Sequence, residues 1–261
     1  KDLLLLSTKF TQWYRGRDMI EDFKQITIVG LGLIGGSFAK ALKKSKFKGK
    51  ICGIDSDLEV IKEAIDTGVI NQRFDEFSEI LSKSDIIVLA LPIGFYDEFF
   101  KKYSKDIKFN CIITDVGSVK SKVHKIVGKH LKDEQVFIGG HPMIGSEKSG
   151  FSVSKAHLFE NAYYFVTADD QQHQAVAKIE ALVGLIGAKA IIIEPDLHDF
   201  VVARTSHLPH VNAVLMLNLL DDADASMINY VGGGFRDTTR IASSEPELWK
   251  DILFNNQKDM I

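Results

Sequence analysis

The chain has 261 residues, 45% hydrophobic and 26% charged, with a formal net charge of −3. That length allows one large domain or two ordinary ones, with enough apolar side chains for a real core. The charge balance gives no basic field for nucleic acid, so an anionic ligand has to be held by local cations. No apolar run approaches the ~18 residues of a membrane span. Residues 1–24, a leucine patch at 3–6 followed by Phe10, Trp13 and Tyr14, lack a signal-peptide layout and read as a peripheral helical arm. Cys52 and Cys111 fall in apolar strand patterns without metal spacing, which reads as small core residues of a cytoplasmic protein.

The first strong pattern spans 26–44, ITIVGLGLIGGSFAKALKK. Four β-formers lead into Gly30-Leu31-Gly32-Leu33-Ile34-Gly35, and Ile34, Phe38, Ala41 and Leu42 then share a helix face. Strand, glycine turn and helix are the context a G-x-G-x-x-G needs to bind a dinucleotide. Gly30 allows the turn, Gly32 lets a pyrophosphate approach the backbone, and Gly35 lets helix and strand pack closely. The phosphates would sit on the helix N-terminus. Asp55, ending the run KICGID, follows Gly35 by 20 residues, near the ~20 expected of the ribose-binding acid. A carboxylate there accepts both ribose hydroxyls and repels a 2′-phosphate, which favours NAD over NADP. Leu33, Ile34, Leu91, Pro92 and Ser118 complete the expected cofactor contacts.

Further strand–helix pairs follow: a helix over 58–66, strands over 85–91, 111–115, 136–139, 163–167 and 190–193, and a helix over 174–185. The unbroken run DIIVLAL suits a strand buried on both faces of a parallel sheet. The alternation predicts a doubly wound, mostly parallel α/β Rossmann sheet over 25–193, with an antiparallel edge late in the order. Pro92, Asp115 and His141 then fall at the carboxyl ends of strands, where such sheets bind ligands. From 194 the pattern is helical to 261, interrupted at Gly232-Gly233-Gly234. Some 65 residues make a poor core alone, so this region needs the first domain or a second subunit.

Three stretches concentrate reactive side chains. In DVGSVK (115–120), Ser118 either orients a ligand or caps a helix starting near Val119. In GGHPMIGSEKSG (139–150), His141 has a pKa suited to proton transfer, or it is a hydrogen-bonded structural histidine. In the helical region, His207 and His210 share a face if the helix survives Pro209. Without a third ligand at matching spacing, no metal is expected there. Arg236 and Arg240 are four apart, and one could clamp a carboxylate bidentately.

The motifs GLGLIGGSFAKAL, DVGSVK, GGHPMIGSEKSG, PDLHD, SHLPH, GGGFRDTTRIA and EPELWKDI run in order over 26–255. Together they resemble the prephenate/arogenate dehydrogenase family. Two points depart from the family pattern: Ile144 stands where a small alanine is usual, and the chain ends before the C-terminal helices many members carry. The resemblance implies an NAD-dependent enzyme that oxidises and decarboxylates prephenate to 4-hydroxyphenylpyruvate in tyrosine biosynthesis. Arogenate is the alternative substrate, and a non-catalytic NAD-binding redox sensor is the alternative of a different class. It further implies His141 as acceptor of the substrate hydroxyl proton and Ser118 as its orienting partner. Arg240 would bind a substrate carboxylate, with Ser206 contacting substrate or holding His141, His210 lining the pocket and Glu147 gating it. His198, Asp237 and Trp249 would lie at the entrance and dimer contact. The helical region would form a homodimer, and tyrosine would inhibit by competing in the active site.

Overall fold

The computed structural model describes residues 20, 22–71, 76–132, 134–145, 148–168, 173–220 and 225–261. The arm expected over 1–24 lies mostly outside them, although Ile20 and Phe23 at its end are buried in the core. A seven-stranded sheet organises the chain: β1 (Gln25–Val29), β2 (Lys50–Ile54), β3 (Ile86–Leu89), β4 (Ile112–Asp115), β5 (Val136–Pro142), β6 (Tyr163–Thr167) and β7 (Lys189–Ile192). Its order is β2-β1-β3-β4-β5-β6-β7. The chain leaves β1 to one side for β2 and returns on the other for β3, so the topological switch lies between β1 and β3. The crevice there, beyond the strand ends, is where open α/β sheets take their ligands.

Alternation along the strands feeds two cores. Ile86 and Val88 join Ile26, Ile28, Phe38 and Leu42 on one face. Ile87 and Leu89 join Val29, Ile113, Tyr96 and Phe100 on the other. With both faces covered, every residue of β3 is buried, each such side chain contributing roughly 1.5–3 kcal/mol. This is why the run reads as continuously apolar. The strand closes at Leu89, short of the expected Leu91, because Ala90 to Pro92 turn into a 3-10 segment, Ile93–Phe95.

Two departures matter for the site. β5 and β6 pair antiparallel, and β6 and β7 pair parallel. The reversal therefore falls inside the sheet and turns its last two strands together, not one edge strand. That pairing also extends β5: His141 pairs with Phe165 and Pro142 with Tyr164. His141 is thus a residue of the strand, whereas the sequence pattern places it just beyond.

The glycine turn leads into α1 (Leu33–Lys44), and Asp57 caps α2 (Leu58–Asp66) with its side chain. Next come α3 (Phe77–Ser82), α4 (Tyr96–Tyr103), α5 (Ser121–Gly128) and α6 (His173–Leu185). From Pro195 the chain is helical. α7 (Pro195–Val202) passes through a π turn, Ala203–His207, into α8 (Leu208–Asn218). The turn has a local cause: Pro209 has no N–H for the carbonyl four residues back, and Leu208 instead donates to Ala203, five back. The helix thus continues past Pro209 with its register shifted. α9 (Gly233–Thr239), α10 (Pro246–Asn255) and α11 (Gln257–Met260) complete it. Ile252 of α10 belongs to the second core, and Gly94 N–H donates to Asp251, so the C-terminal helices are docked on the β3–α4 segment. Among the described residues, no helix is long and apolar enough to cross a membrane.

Candidate active site

At the switch, the glycine turn keeps the features a nucleotide requires. Gly30 has φ +91°, and a Cβ on Gly35 would lie 1.9 Å from the Gly30 carbonyl oxygen. A Cβ on Gly32 would meet nothing within 4 Å, so the backbone there faces open space. No side chain caps α1 and no acid lies in its first turn, which leaves its N–H groups and dipole for an anion. Asp55, at the end of β2, accepts Leu31 N–H at 2.7 Å and Asp57 N–H at 3.0 Å, holding its carboxylate beside the turn. Leu33, Ile34 and Leu91 are half-buried and Pro92 is exposed around the same crevice. These residues fit a dinucleotide.

The end of β4 is built on a buried ion pair. Lys120 and Asp115 are both fully buried, and the ammonium bonds both Asp115 oxygens and the Gly140 carbonyl at 2.6 Å. Three donors meet three acceptors, which keeps the ammonium charged although burial pulls its pKa down. Asp115 also accepts Gly140 N–H at 2.8 Å and Gly117 N–H at 2.9 Å. The pair therefore ties the β4 turn to the strand that carries His141.

That turn is not a serine cap. α5 starts at Ser121, and neither Lys120 nor Ser118 caps it from within. The acceptor comes from α7: Asp199 takes Lys120 N–H at 2.7 Å and Ser121 N–H at 2.8 Å. Ser118 lies half-buried in the turn before it.

Asp199 also begins a chain of three side chains. His198 Nδ1 lies 2.8 Å from Asp199 Oδ1, and His198 Nε2 lies 2.8 Å from His141 Nδ1. His198 is 0% exposed and His141 7%. Burial, then His198 and Lys120, push the His141 pKa well below its usual value. The resemblance put His198 at an entrance and dimer contact; its side chain is instead enclosed between His141, Asp199 and the Phe165 ring. Nor does Ser206 hold His141 through Nδ1, since His198 occupies that nitrogen; Ser206 sits half-buried in the π turn.

Below the chain lie two more histidines. His207 Nδ1 is 3.2 Å from Asn256 Nδ2, which donates to the Asp199 carbonyl at 3.0 Å. His210 stacks on Trp249 with ring centroids 3.4 Å apart and planes at 4°. The buried atoms His207 Nε2 and His210 Nδ1 have no hydrogen-bond partner among the described residues. No group of three or more His, Cys, Asp or Glu with metal-holding geometry occurs among them either. Arg240 and Asp237 are exposed, and Glu147 lies outside the described residues. Asn256 stands outside every motif the sequence singles out, while Asp199, Lys120 and His207 fall within those motifs without a role assigned to them.

A doubly wound sheet with a nucleotide-ready turn at its switch point, and an enclosed histidine one strand beyond the neighbouring turn, define a Rossmann-type nucleotide-binding protein with an added helical region. The family profile described as prephenate dehydrogenase, nucleotide-binding domain, matches residues 38–192, and that described as prephenate dehydrogenase, dimerization domain, matches 194–261. The chain belongs to the prephenate dehydrogenase family. It is 38% identical over 241 residues to the prephenate dehydrogenase of Bacillus subtilis, covering 90% of this chain and 65% of that protein. It therefore spans less than two thirds of that relative's length. The solved prephenate dehydrogenase of Aquifex aeolicus, in complex with hydroxyphenyl propionate and NAD+, superposes with TM-score 0.81 at 34% identity, over 91% of this chain and 84% of that one. The Synechocystis arogenate dehydrogenase gives TM-score 0.75 at 28% identity, over 90% and 85%.

Proposed function

We propose that the chain is an NAD-dependent prephenate dehydrogenase that oxidises and decarboxylates prephenate to 4-hydroxyphenylpyruvate. The observation that carries this reading is His141: a neutral, enclosed imidazole on a strand paired on both sides, with Nδ1 engaged and Nε2 left for a substrate. The glycine turn, the α1 N-terminus and Asp55 would hold NAD, whose nicotinamide supplies hydride acceptance when bound.

His141 Nε2 accepts the hydrogen bond of the substrate hydroxyl and takes its proton as hydride leaves the same carbon. The ring becomes aromatic as its carboxylate departs, which supplies the driving force, so the protein mainly orients the substrate and excludes water. Ser118 orients the hydroxyl from the β4 turn. Arg240 binds a substrate carboxylate, with Ser206 and His210 lining the pocket; Glu147, outside the described residues, keeps only the gating role that the resemblance implies. A homodimer built on the helical region would cover Leu197, Phe200, Leu215 and Phe254, all exposed in the single chain, with Asp237 and Trp249 keeping the entrance and dimer-contact role that the resemblance implies. A cytoplasmic setting agrees with Cys52 and Cys111, which are buried and not joined in a disulfide. Tyrosine would compete in the same pocket, giving inhibition competitive with prephenate.

Steady-state assays of prephenate and arogenate, each with NAD+ and NADP+, test the reading. A clear kcat/KM preference for arogenate, the substrate named for the Synechocystis neighbour, would overturn the substrate assignment. His141→Asn should lower kcat about 10²–10⁴-fold with NAD+ affinity nearly unchanged, the size of a lost general base. A near-normal kcat removes His141 from this role.

A further inference from the structure

We propose that His198 and Asp199 act with His141 as a directional proton chain: they hold Nε2 of His141 as the bare nitrogen and take over the positive charge when it gains a proton. The proposal deepens the reading of His141 above and rests on it for the catalytic half only.

The direction follows from counting protons. Two of the donors to Asp199 are backbone N–H groups, of Lys120 and Ser121, and these can only donate. The carboxylate sits at the start of α5, where the helix dipole favours an anion. Burial pushes its pKa up, but the bonds from His198, Lys120 N–H and Ser121 N–H outweigh that and leave it lowered. Asp199 is therefore an acceptor only, and His198 Nδ1 facing it at 2.8 Å carries a hydrogen. Neutral His198 then has a bare Nε2. The nitrogen opposite it at 2.8 Å, His141 Nδ1, must donate. Neutral His141 is left with its lone pair on Nε2. Each tautomer is thus assigned from the hydrogen-bond network, with the fixed backbone donors as its origin.

The same neighbours decide where a cation rests. His141 faces His198, the Lys120 ammonium with its Asp115 partner, and His207; burial and the cationic neighbours oppose charge on it. His198 is also opposed by burial, but Asp199 pulls the other way. As the substrate O–H bond breaks, an Nε2–H bond forms on His141. Its Nδ1–H bond then breaks and an Nε2–H bond forms on His198, so the charge rests beside the Asp199 carboxylate. No electrons move along the chain, and the proton returns to water by the reverse path once product has left. His198 and Asp199 touch neither substrate nor cofactor, so they are positioning residues.

Asp199→Asn separates this from a plain helix cap. Oδ1 of residue 199 meets both Lys120 N–H and His198 Nδ1, and Oδ2 meets Ser121 N–H. An asparagine oxygen in the Oδ1 place keeps Lys120 N–H and His198 Nδ1–H, so α5 keeps an acceptor and both tautomers stand, while the negative charge is lost. Expected is a fall in kcat of about 10-fold or more, because the proton no longer rests beside an anion, with NAD+ affinity within about 3-fold. The acidic limb of residual kcat should move to lower pH. ¹⁵N NMR of the histidine rings should show His141 Nε2 unprotonated at neutral pH in the wild type and in Asp199→Asn. His198→Gln supplies a second variant: its amide oxygen still accepts from His141 Nδ1 but cannot take the proton, so the tautomer stays and kcat falls about 10-fold or more. A wild-type spectrum with hydrogen on Nε2, or full kcat with an unmoved acidic limb in both variants, overturns the chain. The spectrum needs no substrate, so it reports on the chain even if prephenate proves not to be turned over.

Discussion

Single side chains set the chemistry here through the donors they face. Asp55 is held by Leu31 and Asp57 N–H, so its oxygens stay at the rim of the glycine turn where an adenosine ribose would lie. Asp55→Asn keeps an acceptor but loses the charge that repels a 2′-phosphate. The ratio of kcat/KM with NAD+ to that with NADP+ should fall about 10-fold or more, the worth of one charged contact of ~1.4 kcal/mol. An unchanged ratio would take cofactor choice away from Asp55. This residue was legible in the sequence because a fixed spacing from the glycine turn carries it. Asp199 was not: its partners are backbone N–H groups of residues 120 and 121, and nothing local marks a side chain that caps a helix from so far along the chain. The motif PDLHD singles out His198, but its enclosed position was not legible, since it depends on α7 packing against α5 and β6. Cys111 reads the same at both levels, a core thiol whose pKa burial pushes up to about 12.

Elements were the most legible scale. α2 and β6 stand where the apolar periodicity puts them, and β3 occupies the middle of its expected run, because burial on one or both faces dictates the pattern directly. What the pattern could not carry was pairing. The extension of β5 through His141 depends on β6 arriving antiparallel beside it, and the π turn depends on Pro209 acting inside a helix that tertiary contacts sustain. The strand–turn–helix unit offers a test in which two glycines answer differently. Gly35→Ala drives a Cβ to 1.9 Å from the Gly30 oxygen and to 3.0 Å from Ala90 and Ile28. It should cost about 1–3 kcal/mol of stability by overpacking, and weaken NAD+ binding with it. Gly32→Ala has room in the protein alone. It should leave the urea midpoint nearly unchanged while weakening NAD+ binding at least as much, because the added methyl stands where the pyrophosphate would approach. Equal stability loss in both variants would refute this division of roles.

Over the whole molecule, the helical region is joined to the sheet by polar groups as well as by Ile252 and the other apolar contacts. That has a pH signature. Burial pushes His207 down to about 4 and His141 well below its usual value, while both titrate near 6.5 when unfolded. Below about pH 6.5 the unfolded chain binds protons that the folded chain does not, so stability present above that pH is lost progressively as pH falls toward about 4. The urea midpoint should drop between about pH 7 and about pH 5, and His207→Gln should flatten part of that drop. A midpoint independent of pH over this range would mean these histidines are not held neutral. The Asp199 cap has a further consequence, for how such a protein can change by recombination. Its carboxylate lies in one matched segment and the two N–H groups it satisfies lie in the other. The two segments look like separable modules along the sequence, yet the start of α5 is finished only by α7. Exchanging the helical segment between relatives would preserve both folds and still leave a helix end open, unless the acid arrives in register with its histidine.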